Sequence, residues 1–111
     1  MIKKLLGILV LGLLWCNNAY AGWTYLKYKE VYLENRNYAQ SYLWGVMTGY
    51  RVANAALPEN QKHYCIPENF KLTLQNVEDI VEEASKKIDD PDTQWVAILY
   101  HWGMQDTFPC K

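Results

Sequence analysis

The sequence has few of the residues and patterns on which catalytic and membrane-spanning folds depend. Its 111 residues include three cysteines, two histidines and six glycines. It contains no glycine-rich phosphate loop and no nucleophile elbow. Its longest apolar stretch, residues 5–15, is shorter than the roughly 20 residues needed to span a bilayer. Eleven basic residues face 12 acidic ones, so the broad positive charge of a nucleic-acid-binding protein is absent.

The apolar stretch does fit an export signal. Two lysines lie within the first four residues, the apolar core follows, and Ala-Tyr-Ala ends at Ala21. Small residues at positions −3 and −1 are typical of a signal-peptidase site. We therefore predict a cleavable signal peptide over 1–21 and no membrane insertion after cleavage. Cys16 raises a lipoprotein alternative, which Trp15 disfavours because a small residue is expected before a lipidated cysteine.

Cleavage would leave a single domain over residues 22–111, with a net charge of −3 from nine basic and 12 acidic residues. Only Cys65 and Cys110 remain in it, and an even cysteine pair in an oxidising compartment predicts a disulfide. The bridge would close a loop of about 45 residues, for which the chain-entropy model gives roughly 4 kcal/mol of stabilisation. The expected location is the periplasm.

Helical periodicity dominates the rest of the chain. Apolar residues recur at helical spacing over 37–57, and again from a Thr73 cap to about residue 88. A short helix is predicted within 23–35 and a last one from Pro91. In that last helix we expect four side chains to face inward: Trp95, Ile98, Leu99 and Trp102. Without sustained strand alternation, the fold class is all-α, a small bundle of about four helices with one disulfide.

One face of the strongest predicted helix carries only small residues. Ser41, Gly45, Gly49 and Ala53 follow one another at intervals of four. Glycine inside a helix costs roughly 0.5–1 kcal/mol relative to alanine, so two on one face call for an explanation. The favoured interpretation is close approach of a neighbouring helix, and the alternative is a flat contact between two copies of the chain.

No set of residues predicts catalysis. His63 lies near Cys65, but a disulfide-bonded sulfur is no nucleophile. One such pair, with His101 among aromatics elsewhere, is too few ligands for a metal site. We therefore expect no enzyme activity, no metal and no cofactor. The seven acidic residues between Glu78 and Asp92 are interpreted as a solvated face, or as a docking surface for a basic partner.

The order of several short motifs is familiar. S-Y-L-W-G-V-M-T-G-Y-R-V-A-N-A stands at 41–55 and Y-C-I-P-E-N at 64–69, followed by L-T-L-Q-N-V at 72–77 and D-T-F-P-C at 106–110. This chain resembles the Rap/Tai family of small secreted bacterial proteins. Founding members are immunity proteins against peptidoglycan amidases delivered by type VI secretion. The resemblance implies a periplasmic, all-helical protein, often a homodimer, whose partner is a cognate secreted amidase.

The leading hypothesis is therefore an immunity protein that blocks an amidase. The candidate partner-binding residues form the irregular segment between two predicted helices: Glu59, Asn60, Gln61, Lys62, His63 and Tyr64. An ordinary connecting loop is the alternative interpretation of this segment. A periplasmic acid-stress chaperone that responds to protonation of Glu82 and Glu83 is the second hypothesis for the whole protein. An envelope protein without an assigned target is the third.

Overall fold

The computed structural model describes residues 22–111, so the predicted signal peptide lies outside the described residues. Four α-helices follow one another in this part of the chain: α1 (Tyr25–Glu34), α2 (Arg36–Ala55), α3 (Leu74–Ser85) and α4 (Val96–Thr107). Two short 3-10 helices, Glu59–Gln61 and Pro91–Thr93, lie in the connections. Residues 22–111 contain no β-strand, which confirms the all-α class. None of the helices found there is long and apolar enough to cross a membrane.

Side-chain caps define where three of the helices begin. Thr24 and Asn35 accept hydrogen bonds from backbone N–H groups in the first turns of α1 and α2. Thr73 forms a reciprocal capping box with Asn76 at the start of α3, as its sequence predicted. Each cap satisfies N–H groups that lack a partner within the helix. Asn35 is both the C-cap of α1 and the N-cap of α2, so the two helices are separated by this one residue.

The core lies where α3 and α4 pack together against the inner face of α2. Gly103 of α4 sets this approach, because a Cβ atom there would lie 2.5 Å from Ile80 Cγ2 and 2.9 Å from the Ile80 carbonyl oxygen. Buried side chains on the three helices include Leu43, Met47, Val77, Val81, Leu99, Tyr100 and Met104. All seven are at most 2% exposed. They form a continuous apolar interior that fixes the positions of the connecting segments.

A disulfide joins Cys65 to Cys110, with their Cα atoms 5.0 Å apart. This confirms the predicted bridge. The Cys65 N–H also donates to the Phe108 carbonyl oxygen over 2.8 Å. The end of the chain after α4 is therefore held against the connection between α2 and α3 by a covalent bond and a hydrogen bond.

The predicted start of the last helix is wrong. Pro91 begins a separate 3-10 helix, and α4 starts only at Val96. The backbone between them pairs with the beginning of the domain: the Tyr25 N–H donates to the Gln94 carbonyl oxygen, and the Val96 N–H donates to that of Trp23. This short antiparallel bridge uses backbone groups that a continuous helix would need for itself.

The inward-facing residues predicted for α4 are also partly wrong. Leu99 is fully buried, but Trp95 and Trp102 are 39% and 41% exposed. The buried face of α4 carries Leu99, Tyr100, Gly103 and Met104 at helical spacing, and the two tryptophans lie outside it. The tryptophans lie at the edge of the core.

The small-residue face of α2 does not receive a neighbouring helix within residues 22–111. Ser41, Gly45, Gly49 and Ala53 are all exposed. No heavy atom of the described chain comes within 4 Å of a Cβ added at either glycine. The favoured interpretation of this face is therefore wrong for the described part of the chain.

Candidate partner-binding surfaces

The segment predicted to bind a partner forms a short connection between α2 and Cys65. Glu59, Asn60 and Gln61 form the 3-10 helix and are exposed, as is His63. The remaining two residues of the segment differ from them. Lys62 is half-buried, and Tyr64 is only 1% exposed. The structure thus divides the six candidates into four that face solvent and two that face the protein.

Lys62 fastens the segment to the end of α2. Its Nζ donates hydrogen bonds to the carbonyl oxygens of Asn54, Ala55 and Leu57, at 3.2, 3.1 and 3.0 Å. The last carbonyls of a helix lack N–H partners and carry partial negative charge. The Lys62 ammonium group donates hydrogen bonds to the carbonyl oxygens and balances their partial negative charge, so Lys62 has a structural role here.

Asn54 holds the same segment from the inside. This residue is 9% exposed. Its Nδ2 donates to the Tyr64 carbonyl oxygen over 2.9 Å, and its Oδ1 accepts from the His63 N–H over 2.8 Å. With the disulfide at Cys65 next in sequence, the exposed turn is fixed at both ends by contacts that do not involve its outer side chains.

The fold brings together the two histidines of the sequence, which sequence reasoning had treated separately. The ring centroids of His63 and His101 are 5.1 Å apart in an edge-to-face arrangement. Burial lowers the pKa of His101, and the neighbouring His63 lowers it further. The Nδ1 atom of His101 is buried without a hydrogen-bond partner in the described part of the chain. Across residues 22–111, no group of three or more His, Cys, Asp or Glu side chains is arranged to hold a metal ion.

A groove between α1 and α3 is the largest cavity that we describe, at about 490 Å³. One wall is the face of α1 that carries Tyr25, Tyr28 and Tyr32. The facing wall is formed by α3: Gln75, Glu78, Asp79, Val81 and Glu82. Sequence periodicity placed the tyrosines on one helical face and the acids on another, but it gave no sign that the two faces lie opposite each other.

The acidic pair invoked for a chaperone lies on the surface. Glu82 and Glu83 reach Lys86 in ion pairs of 3.9 and 3.2 Å. All three side chains are at least 60% exposed. Exposed pairs on one helix contribute only a few tenths of a kcal/mol, so protonating these two carboxylates would disturb little of the packed interior.

No family model, no curated protein and no solved structure matches this chain.

Proposed function

We propose that the chain is an exported binding protein of the inhibitor type, which neutralises a type VI secretion peptidoglycan amidase in the periplasm. The observation that carries this proposal is the braced, solvent-facing turn Glu59–Tyr64, which we call the braced turn. The side chains of Glu59, Asn60 and Gln61 face solvent, that of His63 packs against His101, and Lys62 and Tyr64 anchor the turn from behind. The predicted export signal and the motif order described above support the choice of compartment and of partner class.

The rigidity of the braced turn matters for affinity. Binding by a flexible loop costs about 0.5–1.5 kcal/mol for each side chain that becomes ordered. The contacts of Lys62 and Asn54 and the disulfide at Cys65 order the backbone before any partner arrives. A turn fixed in this way suits insertion into an enzyme cleft, because little further entropy is lost on binding.

A homodimer formed through the outer face of α2 is part of the same proposal. Gly45 and Gly49 leave open space on that face, and Trp44 and Val52 are 50% and 66% exposed beside them. Exposed apolar side chains that surround a flat strip are typical of contact surfaces. A second copy related by a two-fold axis would place the two α2 helices close together.

The test is co-expression in the periplasm with a candidate type VI secretion peptidoglycan amidase. We expect the chain to protect cells from lysis and to form a stable complex with the amidase in size-exclusion chromatography. Asn60→Arg, in the braced turn, should weaken the complex at least tenfold. The matched control is Asn37→Arg, which adds the same charge at another exposed asparagine in a helical turn.

Two results would count against the proposal. One is lysis that continues despite a folded, exported chain, together with no complex in chromatography. The other is a complex that Asn60→Arg and Asn37→Arg weaken equally, which would assign binding to a surface other than the braced turn.

A further inference from the structure

The groove between α1 and α3 has features that neither the fold nor the braced turn explains. Its aromatic wall is a row of three tyrosines on successive turns of α1, spanning about 10 Å along the helix axis. Tyr25 and Tyr28 lie nearly parallel, at 13° and 6.4 Å between centroids, and Tyr32 continues the row 6.0 Å further on. The groove shares no lining residue with the braced turn.

Cations of the protein already cover both ends of this row. Lys29 Nζ lies 4.9 Å from the ring centre of Tyr25, and the Arg36 guanidinium lies 5.4 Å from that of Tyr32. Tyr28, in the middle, has no cation of the described chain over its ring. Aromatic faces attract cations through their quadrupole, and the half-buried rings of Tyr25 and Tyr32 already use this attraction.

Tyr28 is the polar group at the bottom of the groove. It is 7% exposed, and its hydroxyl makes no hydrogen bond within the described residues. Burial raises the pKa of Tyr28 far above its ordinary value, and the charge of Glu78 raises it further. The hydroxyl therefore stays protonated. This hydroxyl is not among the fully buried side-chain atoms that lack a partner in residues 22–111, so it is open to the groove that Tyr28 lines and can hydrogen-bond a ligand there.

Hydrogen bonds from neutral side chains hold the carboxylates of Glu78 and Asp79 in place without neutralising their charge. Gln40 Nε2 donates to Glu78 Oε1 over 2.9 Å, and Gln75 Nε2 donates to Asp79 Oδ1 over 3.1 Å. Both donors are neutral amides, and neither carboxylate forms an ion pair within residues 22–111. On the opposite wall, the charge of Lys29 is matched by Asp92 at 2.7 Å. Three carboxylates (Glu78, Asp79 and Glu82) line the groove against two cations, Lys29 and Arg36, so its lining has an excess of one negative charge.

We propose that this groove binds a linear aliphatic polyamine. The methylene chain would lie along the tyrosine row, and its ammonium groups would bond to Glu78, Asp79 and Glu82. Glu78 and Glu82 are one turn apart, about 6 Å along the axis, which matches the distance between two nitrogens joined by four methylenes. A volume of about 490 Å³ lies within the usual range for small-molecule sites.

Isothermal titration calorimetry with spermidine tests the site in the purified protein. We expect saturable binding of one spermidine per chain. Glu78→Gln and Asp79→Asn should each weaken it about tenfold or more, since each removes a charge-assisted hydrogen bond. Glu83→Gln is the matched control, because it removes the same charge from α3 outside the groove. It should change the affinity less than twofold.

Further measurements check that the variants are folded and compare the binding of spermidine with that of other cations. Urea unfolding of each variant shows that the fold is kept, and the exposed Asp79 provides a second variant if Glu78→Gln is unstable. Tri-lysine peptide and Mg²⁺ are titrated in the same way and should bind more weakly than spermidine. No spermidine binding at millimolar concentration, equal weakening by Glu83→Gln, or tighter binding of tri-lysine or of Mg²⁺ would each overturn the proposal.

Discussion

Replacing the glycines inside the helices by alanine tests the helix packing. The free energy of unfolding should rise for the two glycines of α2 and fall for the glycine of α4. At Gly45 and Gly49 of α2 an added Cβ meets nothing within 4 Å. Replacing glycine by alanine in an open helical position gains about 0.5–1 kcal/mol, because the unfolded chain loses conformational freedom and the helix is favoured. Gly45→Ala and Gly49→Ala should each raise the free energy of unfolding by about that amount.

At Gly103 of α4 the same change should be destabilising. The added Cβ would lie 2.5 Å from Ile80 Cγ2, a side-chain atom, and 2.9 Å from the Ile80 carbonyl oxygen. A side chain can rotate away, but the backbone of α3 can move only if the two helices separate. Overpacking of this kind costs typically 1–3 kcal/mol, which exceeds the helical gain of about 0.5–1 kcal/mol. We expect Gly103→Ala to lower the free energy of unfolding by about 1–2 kcal/mol.

Urea unfolding followed by far-UV circular dichroism measures all three variants. For a domain of this size, 1 kcal/mol corresponds to roughly 4–8 °C in the melting temperature, so the two directions are easily separated. Dilute and concentrated samples should be compared, since a dimer through α2 would make the effects of Gly45→Ala and Gly49→Ala depend on concentration. A Gly103→Ala variant as stable as the parent would refute the packing of α3 against α4 described here.

Three further predictions concern the disulfide, the brace and the response to pH. Replacing both Cys65 and Cys110 by serine should cost about 4 kcal/mol of unfolding free energy by the chain-entropy model; a loss below 1 kcal/mol in urea unfolding would contradict it. Asn54→Ala should cost about 1–3 kcal/mol, because it leaves the His63 N–H and the Tyr64 carbonyl without their partner, and thermal melts would show this as a lower midpoint. The pKa of His101 is lowered from 6.5 in the folded state. The unfolded chain therefore binds a proton more readily, and stability should fall as pH drops below about 6.5. His101→Phe should flatten this fall between pH 7.5 and 5.5 in urea titrations, and an unchanged slope would count against it.

The parts of the fold that follow from local signals were predictable. The apolar spacing within α2 and α3 and the Thr73 cap depend on residues close together in sequence. The disulfide followed from the number of cysteines left after the predicted signal cleavage. In each case the signal and the structure that it determines lie within one element, or involve only one pair of residues.

The parts that depend on distant contacts were not predictable. The start of α4 is set by backbone hydrogen bonds of Gln94 and Val96 with Tyr25 and Trp23, about 70 residues earlier in the chain. The pairing of His63 with His101 and the groove between α1 and α3 likewise join segments that share no local pattern. Tertiary contacts override local propensity in such places, and one sequence does not reveal them.

The bridge between Thr24 and Trp95 has a consequence for how the domain opens. Tyr28 is the only buried residue of α1, whereas α4 has five. Because α1 adds one buried residue and only the half-buried Tyr25, Val31 and Tyr32 to the core, it should form the least protected cooperative unit in native-state hydrogen exchange. Its amides should exchange through local detachment while those of α3 and α4 exchange only through global unfolding. Detachment of α1 would dismantle one wall of the groove, so any ligand held there should slow the exchange of the α1 amides selectively.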